Sequence, residues 1–205
     1  MTKKKLSMFS VVVIVLGMIT ACGSQDTAKA EGTDVKPVNV TNIKGKNLDQ
    51  KAPATAMAEL YNAKKEKVGT AHLTESKEGV KIHIMASTLS PGPHGFHIHK
   101  VAKCIAPDFE SAGEHFNPGK KEHGFENPKG FHAGDLPNID VNKDGMVKAT
   151  AVTKNVTLQK GKPNSLFDKD GSAIVIHEKP DDYKTDPDGK AGKRVACGAI
   201  QPAAH

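Results

Sequence analysis

The sequence predicts an all-β domain, an antiparallel β-sandwich or barrel of seven or eight strands. Three observations predict it. Short apolar runs with a period of two recur along the chain between turn residues, the pattern of half-buried strands. No segment carries the three or more turns of apolar periodicity that an amphipathic helix needs. The composition is turn-rich and poor in large aromatics, with 19 Gly and 12 Pro among 205 residues but two Tyr, seven Phe and no Trp.

The chain opens on an export leader. Lys3, Lys4 and Lys5 precede an apolar run from Val11 to Ile19, too short to cross a bilayer comfortably, and Ile19-Thr20-Ala21-Cys22 follows. Small residues before a cysteine resemble a bacterial lipobox, so residues 1–21 are expected to be removed and Cys22 to be lipidated. Residues 22–50 are polar and without apolar periodicity, and read as a flexible tether holding the domain on the order of 30 Å from the lipid. The expected location is the outer face of a bacterial membrane, with the protein anchored to the membrane rather than spanning it. A plain secretory signal with an incidental cysteine is the alternative. Half of the formal charge of +6 lies in the leader, and the remainder is too small to argue for nucleic-acid binding. Setting Cys22 aside leaves Cys104 and Cys197 as an even pair in a disulfide-permissive compartment.

Residues 51–205 form the expected domain. Val80 to Ile84 alternates cleanly, Val147 to Val152 is strand-like, and Ser172 to His177 is a β-branched run ending in a histidine. Ala56 to Tyr61 and Gly69 to Leu73 are weaker strands flanking a turn around Lys64 to Lys67. In Pro93-His94-Gly95-Phe96-His97-Ile98-His99, the i, i+2 spacing aims His97 and His99 to one face of a strand and Phe96 and Ile98 to the other. That is half of a metal site on one strand. An isolated HxH would more simply be a solvent-facing pair.

Two stretches exceed ordinary hairpin loops. Lys100 to about Asn138 holds His115, His123, His132 and Asp135 among glycines, prolines and charges, and Glu178 to about Lys193 is similarly irregular. Loops of this length in a compact domain are usually functional or disordered. A bound metal would supply the order that sparse hydrophobic content does not. Asp140-Val141-Asn142-Lys143-Asp144-Gly145 imitates the start of an EF-hand loop, but Ala151 stands where the bidentate Glu belongs, and a hairpin turn is the better reading.

The segments His94 to His99, His115-Phe116-Asn117-Pro118, His123-Gly124, His132-Ala133-Gly134-Asp135-Leu136, His177-Glu178, Asp181-Asp182 and Gly192 to Gly198 resemble the copper,zinc superoxide dismutases in order and approximate spacing. Any one of them is a weak match; seven in order are specific. The resemblance covers roughly Lys51 to Pro202. It implies an eight-stranded antiparallel Greek-key β-barrel with two long functional loops and a dinuclear centre between them. Copper would take His97, His99, His115 and His177, and zinc would take His115, His123, His132 and Asp135, with His115 bridging the two. Four imidazoles suit a copper ion that changes oxidation state, and three nitrogens with a carboxylate suit closed structural zinc.

By the same resemblance Asp181 accepts hydrogen bonds from His97 and His123, Cys104 and Cys197 form a disulfide, and Arg194 binds the incoming superoxide anion beside the copper. His94 is expected to be structural, His72 and His83 to be surface residues, and Asp182 to be solvated or to cap a turn. Lys184, Lys190 and Lys193 could extend a positive funnel from which Asp186 and Asp188 subtract. The family pattern is departed from at Lys100-Val101-Ala102-Lys103 and at Pro137, and none of these changes removes a ligand. The implied activity is superoxide disproportionation by copper redox cycling, and the implied assembly includes a homodimer. The rivals are a non-enzymatic copper-binding or metal-buffering lipoprotein on the same barrel and a zinc-stabilised structural domain.

Overall fold

The computed structural model describes residues 54–203; the leader, Cys22, the whole of the tether and the last two residues lie outside them. Ten strand segments follow in order. They are β1 (Thr55–Asn62), β2 (Lys67–Ser76), β3 (Gly79–Ala86), β4 (Gly92–His94), β5 (Phe96–His99), β6 (Ile139–Val141), β7 (Val147–Thr153), β8 (Ala173–His177), β9 (Arg194–Ala199) and β10 (Gln201–Pro202). A single 3₁₀ turn, Glu110–Ala112, is the only helical element among the described residues.

The named strands all pair antiparallel, in the order β5-β8-β9-β1-β2-β3-β7, with β10 beside β1 and β4 beside β6. Only Gly95 separates β4 from β5, so they act as one strand that changes partner, and β10 extends β9. The segments thus amount to the eight strands expected, and the placement of β7 beside β3 is the crossover of a Greek key.

The first three strands form a meander because their apolar residues alternate. Ala56, Ala58 and Leu60 on β1, Ala71 and Leu73 on β2, and Val80, Ile82 and Ile84 on β3 all enter the main core. The β1–β2 turn is held by Asn62, whose Oδ1 accepts from the backbone N–H groups of Lys64 and Glu66. Asn142 does the same between β6 and β7, accepting from Asp144 and Met146. The EF-hand look-alike is therefore a hairpin turn.

Strand β8 is buried at all five positions. Ile174 and Ile176 face the main core, whereas Ala173 and Val175 face a second cluster with Phe109, Ala112 and Cys197. A strand covered on both faces reads as a continuous apolar run. On β5, Phe96 and Ile98 enter the core and the two histidines turn to the other side. Truncating Ile98 to Ala would cost about 2–5 kcal/mol and loosen the strand carrying both histidines.

The first long loop has more anchors of its own than its composition suggests. Its backbone docks on β5 through Phe116 N–H to Ile98 O (2.8 Å), Ile98 N–H to Gly134 O (2.9 Å) and Lys100 N–H to Glu114 O (3.0 Å). Gly134 permits this approach, since a Cβ there would overlap the Ile98 carbonyl oxygen. Phe109, Phe116 and Leu136 are buried beneath the loop. Segments 115 and 135 are thereby held alongside His99 and His97 as isolated bridges.

Candidate metal centre

Seven titratable side chains from two strands and the first loop converge in two groups. In each group the candidate ligand atoms lie within 4.8 Å of one another. His97, His99, His115 and His177 form one, and His115, His123, His132 and Asp135 the other, so His115 belongs to both. All seven are buried.

Hydrogen bonds made by one nitrogen of each ring show which nitrogen remains for a metal. His97 gives Nε2 to Asp181 Oδ2 (2.7 Å), and its Nδ1 has no partner. His99 donates from Nδ1 to Gly113 O (2.8 Å), and His177 from Nδ1 to Gly192 O (3.2 Å). That leaves their Nε2 atoms facing each other at 3.4 Å. His115 turns Nδ1 to Asp135 Oδ1 (2.8 Å), while its Nε2 is buried without a partner. His132 Nδ1 lies 3.2 Å from the same oxygen. His123 Nδ1 is 3.1 Å from it, within ion-pair range but misdirected for a hydrogen bond. Three nitrogens around one carboxylate oxygen, and three buried ring nitrogens with no hydrogen-bond partner, are the arrangement a pair of cations would complete. The residues therefore fit two metals.

The two groups differ electrostatically. Burial, reinforced by neighbouring His115, lowers the pKa of His97 to about 3; burial lowers His177 to about 4 and takes His99 well below its usual value. These rings stay neutral, as ligands must. Burial also opposes charge on His123, but Asp135 and Asp181 outweigh it and raise this pKa to about 9. Burial would raise Asp135, yet His115, His123 and His132 hold it well below the carboxylate range. The same contest, won by His123 and His97, keeps Asp181 ionised.

Asp181 ties the groups together, since its Oδ1 also accepts from His123 Nε2 at 3.0 Å. Asn138 clamps its backbone in both directions, and Tyr183 N–H donates to its carboxylate. Gly189 (φ +64) leaves the space for this bridge; a Cβ there would overlap Asp181 Oδ1 and lie 2.7 Å from His123 Nε2.

Arg194 stands opposite His177 because the β8–β9 register shifts at that point. Its guanidinium donates to Phe109 O and Gly113 O, both at 2.7 Å. Gly113 O thus serves both Arg194 and His99. The loop that supplies these carbonyls is pinned by the Cys104–Cys197 disulfide, whose Cα atoms are 5.6 Å apart.

Of the other residues singled out in the sequence, His94 is buried and bonds through Nδ1 to His177 O (2.6 Å) and through Nε2 to Ser90. Asp182 caps a turn through Lys184 and Thr185. Lys184 pairs with Glu126 and Lys190 with Asp182, and Lys100 pairs with Glu114 at 2.7 Å. Asp186 reaches the first loop, accepting from His123 N–H at 2.6 Å. The sequence missed the carbonyls of Phe109 and Gly113, as well as Asn138, Tyr183 and Gly189. Backbone acceptors carry no residue-type signature, and only the glycine at 189 hinted at a close approach.

Residues 67–200 match the family model described as copper/zinc superoxide dismutase. A superoxide dismutase [Cu-Zn] 1 of Aquifex aeolicus is 52% identical over 145 residues, which are 70% of this chain and 86% of that protein. The superoxide dismutase-like protein YojM of Bacillus subtilis is 42% identical over 190 residues, 92% of this chain and 95% of that one. The crystal structure of a SOD-like protein from Bacillus subtilis superposes with a TM-score of 0.68 at 49% identity, covering 70% of this chain and 96% of the other.

Proposed function

We propose, from the premise that this chain belongs to the copper/zinc superoxide dismutase family, that it disproportionates superoxide to dioxygen and hydrogen peroxide. Copper would be held by His97 Nδ1 and by the Nε2 atoms of His99, His115 and His177. Zinc would be held by the Nδ1 atoms of His115, His123 and His132 and by Asp135. The observation that carries the reading is the sharing of His115 by two complete four-residue groups.

Bound copper would supply a one-electron couple able to oxidise one superoxide and reduce a second. The protein does the rest. Arg194 offers the anion a cation whose position is fixed by two carbonyls, so little reorganisation is needed on binding. His115 Nε2, buried without a partner, is the atom that could hold a proton between the two superoxide reactions and yield it to the second, the other proton of hydrogen peroxide coming from solvent. Asp135 keeps the ring oriented through Nδ1 meanwhile. Asp181 fixes the tautomers of His97 and His123, one from each group. Burial of the rings keeps bulk water from competing for their nitrogens.

The test is metal analysis paired with a dismutation assay on purified protein. Activity should vanish on removal of copper and return on its readdition. A fully metallated protein without activity above free buffer would replace the enzyme reading with the copper-buffering one.

The domain plan belongs to the same proposal, with leader 1–21, lipidated Cys22 and tether 22–50, and domain 51–205 on the outer face of a membrane. Cys22→Ser should then release the protein from the membrane fraction, and native protein with an unmodified N-terminus other than Cys22 would overturn the anchor.

A further inference from the structure

Apart from the shared His115, each candidate ligand ring has a fixed outer nitrogen except one. Asp181 holds Nε2 of both His97 and His123, Gly113 O holds Nδ1 of His99, and Gly192 O holds Nδ1 of His177. His115 points its two nitrogens at the two groups. His132 uses Nδ1 inward, and among the described residues its Nε2 makes no hydrogen bond. The carboxylate facing that atom is Asp186, with Oδ1 at 3.9 Å. The same oxygen accepts the backbone N–H of His123 at 2.6 Å. Asp186 belongs to the second long loop, so one carboxylate oxygen reaches two residues of the first. Its side chain is 49% exposed, which explains why it reads as a surface charge in the sequence.

We propose that Asp186 is a positioning residue for the zinc group, acting as the outer carboxylate of His132 while tying the second loop to His123. The inference rests on the zinc assignment made above. A cation at Nδ1 makes the opposite N–H of an imidazole more acidic, and an anionic acceptor on that side raises the basicity of the ligating nitrogen and fixes ring orientation. Asp181 does this for His123 from within the fold. Asp186 does it for His132 from the rim, at a distance that a small approach of the loop would turn into a hydrogen bond.

The experiment compares full-length wild type with Asp186→Asn and Asp186→Ala. Asn retains an oxygen for the His123 N–H but lacks the charge facing His132, so it separates the cap from the outer-ligand role. Zinc affinity is read by chelator competition, and exchange of the His132 ring N–H is read by NMR on the zinc-loaded protein. In Asp186→Asn the zinc dissociation constant should rise about 10-fold, the low end of what outer partners of metal ligands contribute. The ring N–H should exchange faster, and copper affinity should be unchanged. Asp186→Ala should lose more. An Asn variant equal to wild type in both readouts overturns the inference, leaving Asp186 as a backbone cap alone. A wild-type chain that takes up no zinc at these residues overturns the metal assignment as well, so the two failures are told apart.

Discussion

In the four-histidine group, His97 and His99 stand on β5 and His177 ends β8, where ladder hydrogen bonds to neighbouring strands set the backbone. In the other group all four residues stand on the first long loop, and the order comes from Asp135. Its two oxygens gather His115, His132 and the N–H groups of Gly124 and His132, with His123 alongside. One site is built by the sheet and kept neutral by burial. The other is built by charge, with carboxylates holding the loop in place of a ladder. The difference assigns a cost to each. A sheet-borne ligand can lose a partner and leave the backbone standing, whereas a loop-borne ligand is part of what fixes the backbone.

The largest expected effect comes from the residue the groups share. His115→Ala should weaken both metals and lower the dismutation rate by more than about 100-fold, beyond the 10–100-fold typical of losing an outer partner. Loss of one metal alone would show that the groups are independent, which would break the comparison.

Arg194→Glu comes next. Reversing the charge beside His177 should reduce kcat/KM by about 100-fold, within the range attributed to electrostatic guidance of small ions, with metal content unchanged. Added salt should slow the native protein for the same reason. Unaltered activity in the variant would remove Arg194 from the mechanism.

A reciprocal pair sharpens the contrast more directly. His177→Ala should lower copper affinity and leave zinc affinity within about threefold, since Asp135 and its partners are untouched. His123→Ala should lose zinc and also speed amide exchange across residues 115–135, because it removes a support of the loop. Equal loosening of the loop in both variants would refute the division into sheet-built and charge-built sites.

The smallest effect is the pH response of the metal-free protein. His97 and His177 have folded pKa values of about 3 and about 4, and that of His99 is also depressed, against an unfolded value near 6.5. The unfolded chain therefore binds more protons between these limits, and stability should fall as pH drops from about 6.5 towards 4. His123, raised to about 9, acts in the opposite sense. Its contribution is full below about 6.5 and is lost as pH rises through 9. Urea midpoints measured across this range should pass through a maximum, and a monotonic rise from pH 4 to 7 without alkaline decline would remove His123 from the account.

What the sequence revealed follows from which physical signals are local. The placement of His97 and His99 on one face needed only a period of two, and the β-branched run of β8 stayed legible although it is buried on both faces. Strand β9 left little trace, since Ala196, Cys197 and Gly198 are small because they pack close beneath β1, where a Cβ on Gly198 would overlap the Glu59 carbonyl. The order of the first loop is not legible in its residues because backbone bonds such as Phe116 N–H to Ile98 O have no residue signature. Ligand identities came from resemblance to a family, as no spacing rule joins His99 to His177 across the chain. By sequence Asp186 is a charge that subtracts from a positive field, whereas its partners in the fold are residues of the other loop.

Gly189 gives a last consequence, one of inheritance rather than of chemistry. Its immediate neighbours Asp188 and Lys190 are exposed, the sort of positions at which substitutions usually pass without effect. Yet the smallest side chain at 189 would press on Asp181 Oδ1 and His123 Nε2, so adding one methyl group there acts on the same atoms as deleting the carboxylate. A lineage free to rewrite its neighbours is held at this position by atoms that belong to other parts of the chain.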